Sequence, residues 1–269
     1  MTGEPPPPGS RIDTSTPHAA RMWNYWLGGK DYYDVDRVAG DQFSAAFPDI
    51  VHIARLSRHL IARIVRYMVN EAGVRQFLDV GTGLPTVDNT HEVAQRADPT
   101  CRVVYVDNDP LVLTHARALL VGTPEGATDY IEADLREPET IIAAAAKTLD
   151  LTQPVTLMLM GIVGFISDED DAHGIVARLM DALPSGSYLA LWDGVNVVTG
   201  ESLDQAQDDY NETDAVPYAL RTREQFTAFF EGLELVEPGI VSVPLWRPDP
   251  DPLADLKEVD ALVGVARKP

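Results

Sequence analysis

The apolar positions of the chain follow two rhythms, which meet near residue 74. Before that point, five apolar residues recur at helical spacing on one face of a predicted helix over residues 51–71: Ile53, Leu56, Leu60, Ile64 and Met68. A second helix is predicted over residues 34–47, and residues 1–16 are rich in Pro, Gly, Ser and Thr. We therefore expect a disordered tail over 1–16 and an N-terminal helical extension, or lid, over 17–73.

After residue 74, short apolar strands alternate with helical patterns. The predicted strands are 75–80, 102–107, 127–132, 155–161 and 186–193, and the predicted helices are 89–97, 109–121, 137–147 and 168–182. This alternation predicts one domain over 74–269, a doubly wound α/β fold with a parallel sheet.

The C-terminal part of this domain changes the pattern. An acidic stretch, 199–216, interrupts it, and a helix over 222–231 follows. The last two strands are expected near 233–243 and 261–267, joined by the proline-rich loop PLWRPDPDP. This loop is too short for a crossover helix, so the two strands should be antiparallel.

Composition excludes several classes of protein. The 42 acidic residues outnumber the 21 Lys and Arg, a net charge of -21 that disfavours a nucleic-acid partner. Cys101 is the sole cysteine, and the six histidines lack metal-ligand spacing, so we expect no disulfide and no metal. No apolar run is long enough to span a bilayer, and the first residues lack the apolar core of a signal peptide. We expect a soluble cytoplasmic protein without a membrane partner; the oligomeric state is left open.

The stretch QFLDVGTGLPTVDN contains the first candidate site. A strand ending at Asp79 runs into the turn Gly81-Thr82-Gly83, at the strand end where doubly wound sheets bind ligands. A dinucleotide site would have a third glycine, which helps a helix N-terminus approach a pyrophosphate. Here Leu84-Pro85 and a polar spacer follow, which favours a ligand without phosphates and disfavours an NAD-linked oxidoreductase.

Acidic residues follow the next two strands. Asp107 comes 24 residues after Gly83 and can accept both hydroxyls of a ribose, while Asp134 can accept from an adenine amino group. Each acid alone could be an ordinary strand-end or helix-capping residue. Together with Asp79 they favour a nucleoside with a cationic, amino-acid-like tail, and S-adenosylmethionine has that shape.

Several segments resemble one family along almost the whole chain: FLDVGTGLPT, HEVAQ, VVYVDNDPLVLTHARALL, YIEADLREPE, VEPGIVSVPLWRPD and RMWNYWLGGKDYYDVDR. The sequence is similar to the actinobacterial S-adenosylmethionine-dependent methyltransferases once catalogued as a domain of unknown function. The resemblance implies a class I methyltransferase (Rossmann-like) fold, with a seven-stranded sheet whose last strand is antiparallel. With neighbouring residues, the predicted cofactor site comprises Asp79, Gly81, Thr82, Gly83, Asp107, Asn108, Asp134, Leu135, Met160 and Gly161.

Two departures from the family pattern concern catalysis. Val163-Gly164-Phe165 stands where relatives often have Leu-His-Phe, and Trp192-Asp193 stands where they often have Ser-His. A catalytic histidine is therefore not carried over, and Asp193 at a strand end is a weak candidate for a base. Trp192, Tyr210 and Trp246 either line an aromatic acceptor pocket or belong to the core.

The N-terminal segment from Arg21 to Arg37 crowds five aromatic residues around a glycine pair. We expect this segment to fold over the cofactor as a lid, with contacts from Tyr25, Gly28, Gly29 and Lys30, the lysine meeting the carboxylate of the methionine tail. The alternative is that its aromatics only attach the extension to the sheet.

The predicted function is S-adenosylmethionine-dependent transfer of a methyl group to a small-molecule acceptor, with S-adenosylhomocysteine as the product. The alternative is a protein that binds these molecules without catalysis. The sequence identifies neither the acceptor nor the atom that is methylated.

Overall fold

The computed structural model describes residues 13–119, 121–250 and 256–269. Its helices are Ala19–Trp26 (α1), Asp34–Ala46 (α2), Ile50–Asn70 (α3), Thr90–Ala97 (α4), Pro110–Leu119 (α5), Pro138–Ala145 (α6), Ala172–Asp181 (α7), Glu201–Asn211 (α8) and Arg223–Ala228 (α9). Its strands are Gln76–Val80 (β1), Arg102–Asp107 (β2), Ala127–Glu132 (β3), Thr156–Met160 (β4), Tyr188–Gly194 (β5), Glu234–Leu235 (β6), Val241–Ser242 (β7) and Ala261–Arg267 (β8). Most of the predicted disordered tail, residues 1–12, lies outside the described residues.

The described strands form one sheet in the order β3-β2-β1-β4-β5-β8-β6, with β7 also paired to β8. Strands β1 to β5 are parallel, and β8 is antiparallel to β5. The doubly wound sheet with an antiparallel last strand is therefore confirmed. The predicted strand near 233–243 is two short strands, β6 and β7, because Pro238-Gly239 between them interrupts the pattern and proline cannot donate to a strand ladder.

Alternate residues of the parallel strands enter opposite cores. Phe77 and Val103 belong to the core covered by α3 and α4, while Leu78 and Val104 belong to the core covered by α6, α7 and α9. Residues 76–80 are all buried, because both faces of the sheet are covered.

The N-terminal helices form a smaller cluster beside the sheet. Met22 and Trp26 of α1 pack against Ala39 of α2 and Ala54 of α3. Arg21 and Asp36 form a buried ion pair at 3.2 Å that joins α1 to α2. Asp36 also accepts hydrogen bonds from the backbone N–H groups of His18 and Tyr33, so its charge is well satisfied.

Candidate functional site

A cavity of about 280 Å³ opens at the carboxyl ends of the parallel strands. It lies where the strand order reverses between β1 and β4, which is the ligand position in doubly wound sheets. The ends of β1, β2, β4 and β5 line it, and α1, α2, α3 and α8 close its other side. Its size is close to that of small-molecule sites, which span roughly 300–1,000 Å³.

The glycine turn brings backbone close to this cavity. Gly81 has φ of 73° and Gly83 has φ of 67°, a left-handed conformation that favours glycine. A Cβ on Gly81 would also lie 2.5 Å from the Ile162 side chain, so both conformation and space require glycine there. Helix α4 begins only at Thr90, with Asn89 and Glu92 forming a capping box, so the polar spacer delays the helix as predicted.

Asp79, the penultimate residue of β1, has a buried carboxylate. Thr90 donates its hydroxyl to Asp79 Oδ2 at 2.6 Å. Burial raises the pKa of Asp79 to about 6, although the Thr90 hydrogen bond and the nearby Arg58 guanidinium both lower it. Asp79 is thus a carboxylate whose charge is only partly compensated, beside a ligand cavity.

Asp107 joins the glycine turn to the loop after β2. Its Oδ2 accepts from the Gly83 N–H at 2.9 Å, and its Oδ1 accepts from the Asp109 N–H at 2.9 Å. Burial raises the pKa of Asp107 against these two hydrogen bonds. Asp109 in turn caps α5 through the Leu111 N–H and lies 3.2 Å from the His18 ring, which ties the N-terminal extension to this loop.

Asp134 follows β3 and contacts its predicted neighbour Asn108. The Asn108 amide donates to Asp134 Oδ2 at 3.1 Å, and the Arg136 N–H donates to Asp134 Oδ1 at 2.9 Å. Gly161, after β4, has φ of 76°, and a Cβ there would lie 2.7 Å from the Trp192 ring. Loop ends from β2, β3 and β4 therefore meet around the same space.

The structure brings ten predicted residues together as lining of the cavity: Asp79, Gly81, Thr82, Gly83, Asp107, Asn108, Asp134, Leu135, Met160 and Gly161. It does not bring Tyr25, Gly28, Gly29 and Lys30 to the lining. Tyr25 instead donates its hydroxyl to Asp41 of α2, and the glycine pair forms the turn that leads away from α1. Other residues of the same segment, Trp23 and Trp26 among them, line the cavity in their place.

Asp193, the weak candidate for a base, lies behind the cavity wall rather than in it. Its oxygens accept from the Gly164 N–H at 2.8 Å, from the Gly194 N–H at 3.0 Å and from the Tyr218 hydroxyl. Burial raises the pKa of Asp193 to about 6, with these three hydrogen bonds opposing the rise. The carboxylate is committed to holding Tyr218, which does line the cavity.

Tyr218 packs against the loop after β4, which contains Val163-Gly164-Phe165, and against the end of β5, which contains Trp192-Asp193. A Cβ on Gly164 would lie 2.3 Å from the Tyr218 ring, and one on Gly194 would lie 2.9 Å from its hydroxyl. The loop after β4 and the end of β5 thus leave room for Tyr218 and bind it through Asp193. No local signal near residue 218 indicates this role, because it depends on contacts with residues 24 to 54 positions away.

A continuous series of ring contacts lines the other half of the cavity. We call it the aromatic wall, and it consists of Trp192, Trp23, Trp26, Phe43 and Tyr210. Successive ring centroids along it are 5.8, 5.5, 5.8 and 5.8 Å apart. Two of the three aromatics considered from sequence therefore line the cavity, whereas Trp246 is fully buried in the core beside Tyr67.

Sequence reasoning missed three charged residues of the lining, Arg58, Arg136 and Asp260, and two of them lie outside the strand-end motifs. Arg58 of α3 donates to the carbonyls of Val87 and Asp88 in the loop after the glycine turn. Asp260, before β8, accepts backbone N–H groups of residues 197–199 and so fixes the loop between β5 and α8. Both lie far in sequence from the strand-end motifs, and only the fold brings them near.

Among residues 13–119, 121–250 and 256–269, no three His, Cys, Asp or Glu side chains are grouped so as to hold a metal ion. No helix in the same ranges is long and apolar enough to cross a membrane.

Comparisons with known proteins agree with this geometry. Residues 6–269 match the model of a family described as S-adenosyl methyltransferase, while no curated protein matches the chain. A DUF574 family protein from Streptomyces avermitilis is 48% identical, with a TM-score of 0.91 over 96% of this chain and 100% of its own. A protein from Thermobifida fusca is 39% identical, with a TM-score of 0.87 over 98% of both chains.

A more distant structure shows the same fold. An S-adenosylmethionine-dependent methyltransferase from Anabaena variabilis is 14% identical, with a TM-score of 0.51 over 79% of this chain and 84% of its own. The class I methyltransferase fold and the actinobacterial resemblance are confirmed. The chain belongs to the S-adenosyl methyltransferase family, whose cofactor is S-adenosylmethionine.

Proposed function

We propose that this protein transfers the methyl group of S-adenosylmethionine to a small-molecule acceptor. One observation carries the proposal: a single cavity joins the strand-end acids and glycine turn to the aromatic wall. The first half suits the nucleoside and charged tail of the cofactor, and the second suits an acceptor. The cofactor supplies an activated methyl group, so the chain's own task is to align the two molecules and exclude water.

Each half of the cofactor has candidate partners in this proposal. Asp107 would bind the ribose hydroxyls, Asp134 the adenine amino group, and Asp79 the ammonium of the methionine tail. Arg58 would bind the tail's carboxylate, the role expected of Lys30 from the sequence. The other lining arginine, Arg136, already pairs with Asp134 and Asp170.

The tail assignment has a matched test. Arg58→Ala should weaken binding of S-adenosylhomocysteine but leave adenosine, which lacks the carboxylate, bound as before. Arg55→Ala, on an exposed residue of the same helix that lies outside the lining, is the control. Equal losses for both ligands in the Arg58 variant would remove Arg58 from the tail site.

One observation favours a second candidate function, binding of the cofactor without turnover. Asp193 is committed to Tyr218 and two backbone N–H groups, so it does not offer a free base to an acceptor. Methyl transfer needs a base only when the acceptor must lose a proton first. Incubation with methyl-labelled S-adenosylmethionine and a metabolite extract separates the two functions: label in a small molecule supports the enzyme, and label remaining only in the bound cofactor supports the binder.

A further inference from the structure

The acceptor half of the cavity is apolar and aromatic. Besides the aromatic wall, its lining includes four apolar side chains, namely Phe47, Ile50, Ile53 and Leu203. Helices α1, α2 and α8 all contribute rings to the aromatic wall. Because neighbouring rings are in contact, they form one continuous apolar surface. Burial of a flat apolar ring against this surface favours binding. Each aromatic pair in good geometry contributes about 0.5–1.5 kcal/mol more to the binding free energy.

The charged residues of the lining are Arg58, Asp79, Asp107, Asp134, Arg136 and Asp260. Arg136 pairs with Asp134 and Asp170. Asp79, Asp107 and Asp134 lie at the strand ends, and Arg58 donates to the loop that follows the glycine turn. Asp260 is the lining acid that fixes the loop before α8. Its oxygens already accept from the backbone N–H groups of residues 197–199 and from the Thr199 hydroxyl.

Polar groups are few in the aromatic half, and one of them stands out. Tyr210 lines the cavity from α8, and burial raises the pKa of its hydroxyl to about 12. Among the described residues, this hydroxyl has no hydrogen-bond partner, whereas the neighbouring Trp26 ring N–H donates to the Gly40 carbonyl. The Gln207 amide, one turn before Tyr210, donates to Asn211, and its oxygen accepts no hydrogen bond from the described residues.

We infer that the methyl acceptor is an uncharged aromatic molecule that lies against the aromatic wall and hydrogen-bonds through a hydroxyl group to Tyr210. This inference rests on the proposed function, because it assigns the acceptor half of the same cavity. A charged acceptor would lose its hydration here without gaining an ion partner, which disfavours it strongly. Tyr210 acts as an acceptor-binding residue that sets the orientation of the ring system.

The test uses simple probes on the whole protein saturated with S-adenosylhomocysteine. Equilibrium dialysis measures the dissociation constants of 2-naphthol, naphthalene and 2-naphthoate, which share a ring system and differ in hydroxyl and charge. We expect 2-naphthol to bind at least about ten-fold more tightly than 2-naphthoate. Equal or tighter binding of 2-naphthoate would overturn the inference.

Variants then test the residues. Tyr210→Phe should weaken 2-naphthol about three- to ten-fold and leave naphthalene unchanged, since only a hydrogen bond is lost. Phe43→Leu should weaken both probes, because it removes a ring from the wall. Tyr32→Phe, the same change at a tyrosine outside the lining, is the matched control.

The outcomes separate this inference from the proposed function. A protein that binds S-adenosylhomocysteine but shows the same 2-naphthol affinity in the wild type and in Tyr210→Phe contradicts the inference alone. A protein that does not bind S-adenosylhomocysteine contradicts the proposed function, and the inference falls with it.

Discussion

The Asp79 carboxylate lowers the stability of the free protein at neutral pH. In the unfolded chain this group ionises near 3.8, and in the folded chain near 6, because burial disfavours its charge. The folded state therefore holds the proton more tightly, and the free energy of unfolding falls as the pH rises from about 4 to about 6. The rise of the Asp79 pKa from 3.8 to about 6 lowers the free energy of unfolding by about 3 kcal/mol once Asp79 is ionised in both the folded and the unfolded state.

Asp79→Asn removes this charge and keeps a group that can accept from Thr90. Relative to the wild type, its free energy of unfolding should increase by roughly 1 kcal/mol more at pH 8 than at pH 5, because at pH 5 the native Asp79 is largely protonated. Comparing two pH values cancels any constant change in the Thr90 contact. Urea denaturation followed by circular dichroism at both values gives the two differences.

A control fixes the interpretation. Hydrogen bonds from Thr100 and Arg75 lower the pKa of Asp98 to about 2, so Asp98 is ionised at pH 5 and pH 8 alike. Asp98→Asn should therefore change the free energy of unfolding by the same amount at pH 5 and at pH 8. If the effect of Asp79→Asn is also the same at pH 5 and pH 8, the carboxylate has an ordinary pKa and the reasoning is refuted.

Three further predictions concern the site and the N-terminal extension. Asp107→Ala should remove roughly 2–4 kcal/mol of the free energy of cofactor binding, since a charged acceptor of two hydroxyls is lost; unchanged affinity in a folded variant, measured by calorimetry, would place Asp107 outside the site. Hydrogen exchange over residues 21–37 should slow when S-adenosylhomocysteine is added, as expected of a lid, and identical exchange with and without ligand would contradict the lid. Asp36→Asn leaves the buried Arg21 without its ion partner, a loss of roughly 3–5 kcal/mol, and should speed exchange throughout α1 and α2; rates equal to those of the wild type would show that the pair does not hold these helices together.

The sheet could be predicted from sequence because its strands carry a strong local signal. Runs such as residues 76–80 and 102–107 are apolar on both faces and alternate with helical patterns, which is typical of a buried parallel sheet. The strand-end acids and glycine turn follow from the same signal, since they come directly after each run. The cavity they line was therefore partly predictable before any contact was known.

The missed elements have weak local signals. Helix α1 has only eight residues and is capped by His18 instead of a usual Ser, Thr, Asp or Asn. Helix α8 lies in the acidic stretch and buries only Leu203, Ala206 and Gln207, too few apolar positions for a clear helical period. Both are stabilised by packing against α2, which is a tertiary effect.

The far side of the cavity depends on contacts that no short window contains. Arg58, Tyr218 and Asp260 reach the site from a helix, a loop and the start of the last strand. The glycine pair in the N-terminal segment predicted close backbone approach at Gly28 and Gly29. The cavity is instead lined by the face of α1 that carries Trp23 and Trp26.

The central claim is that the cavity binds S-adenosylmethionine rather than a dinucleotide, and calorimetric titration tests it most directly. The wild-type protein should bind S-adenosylmethionine and S-adenosylhomocysteine at one site per chain, and NAD far more weakly, because the turn lacks the third glycine and helix α4 begins too late to meet a pyrophosphate. Binding of NAD as tight as that of S-adenosylmethionine, or tighter, would contradict the account.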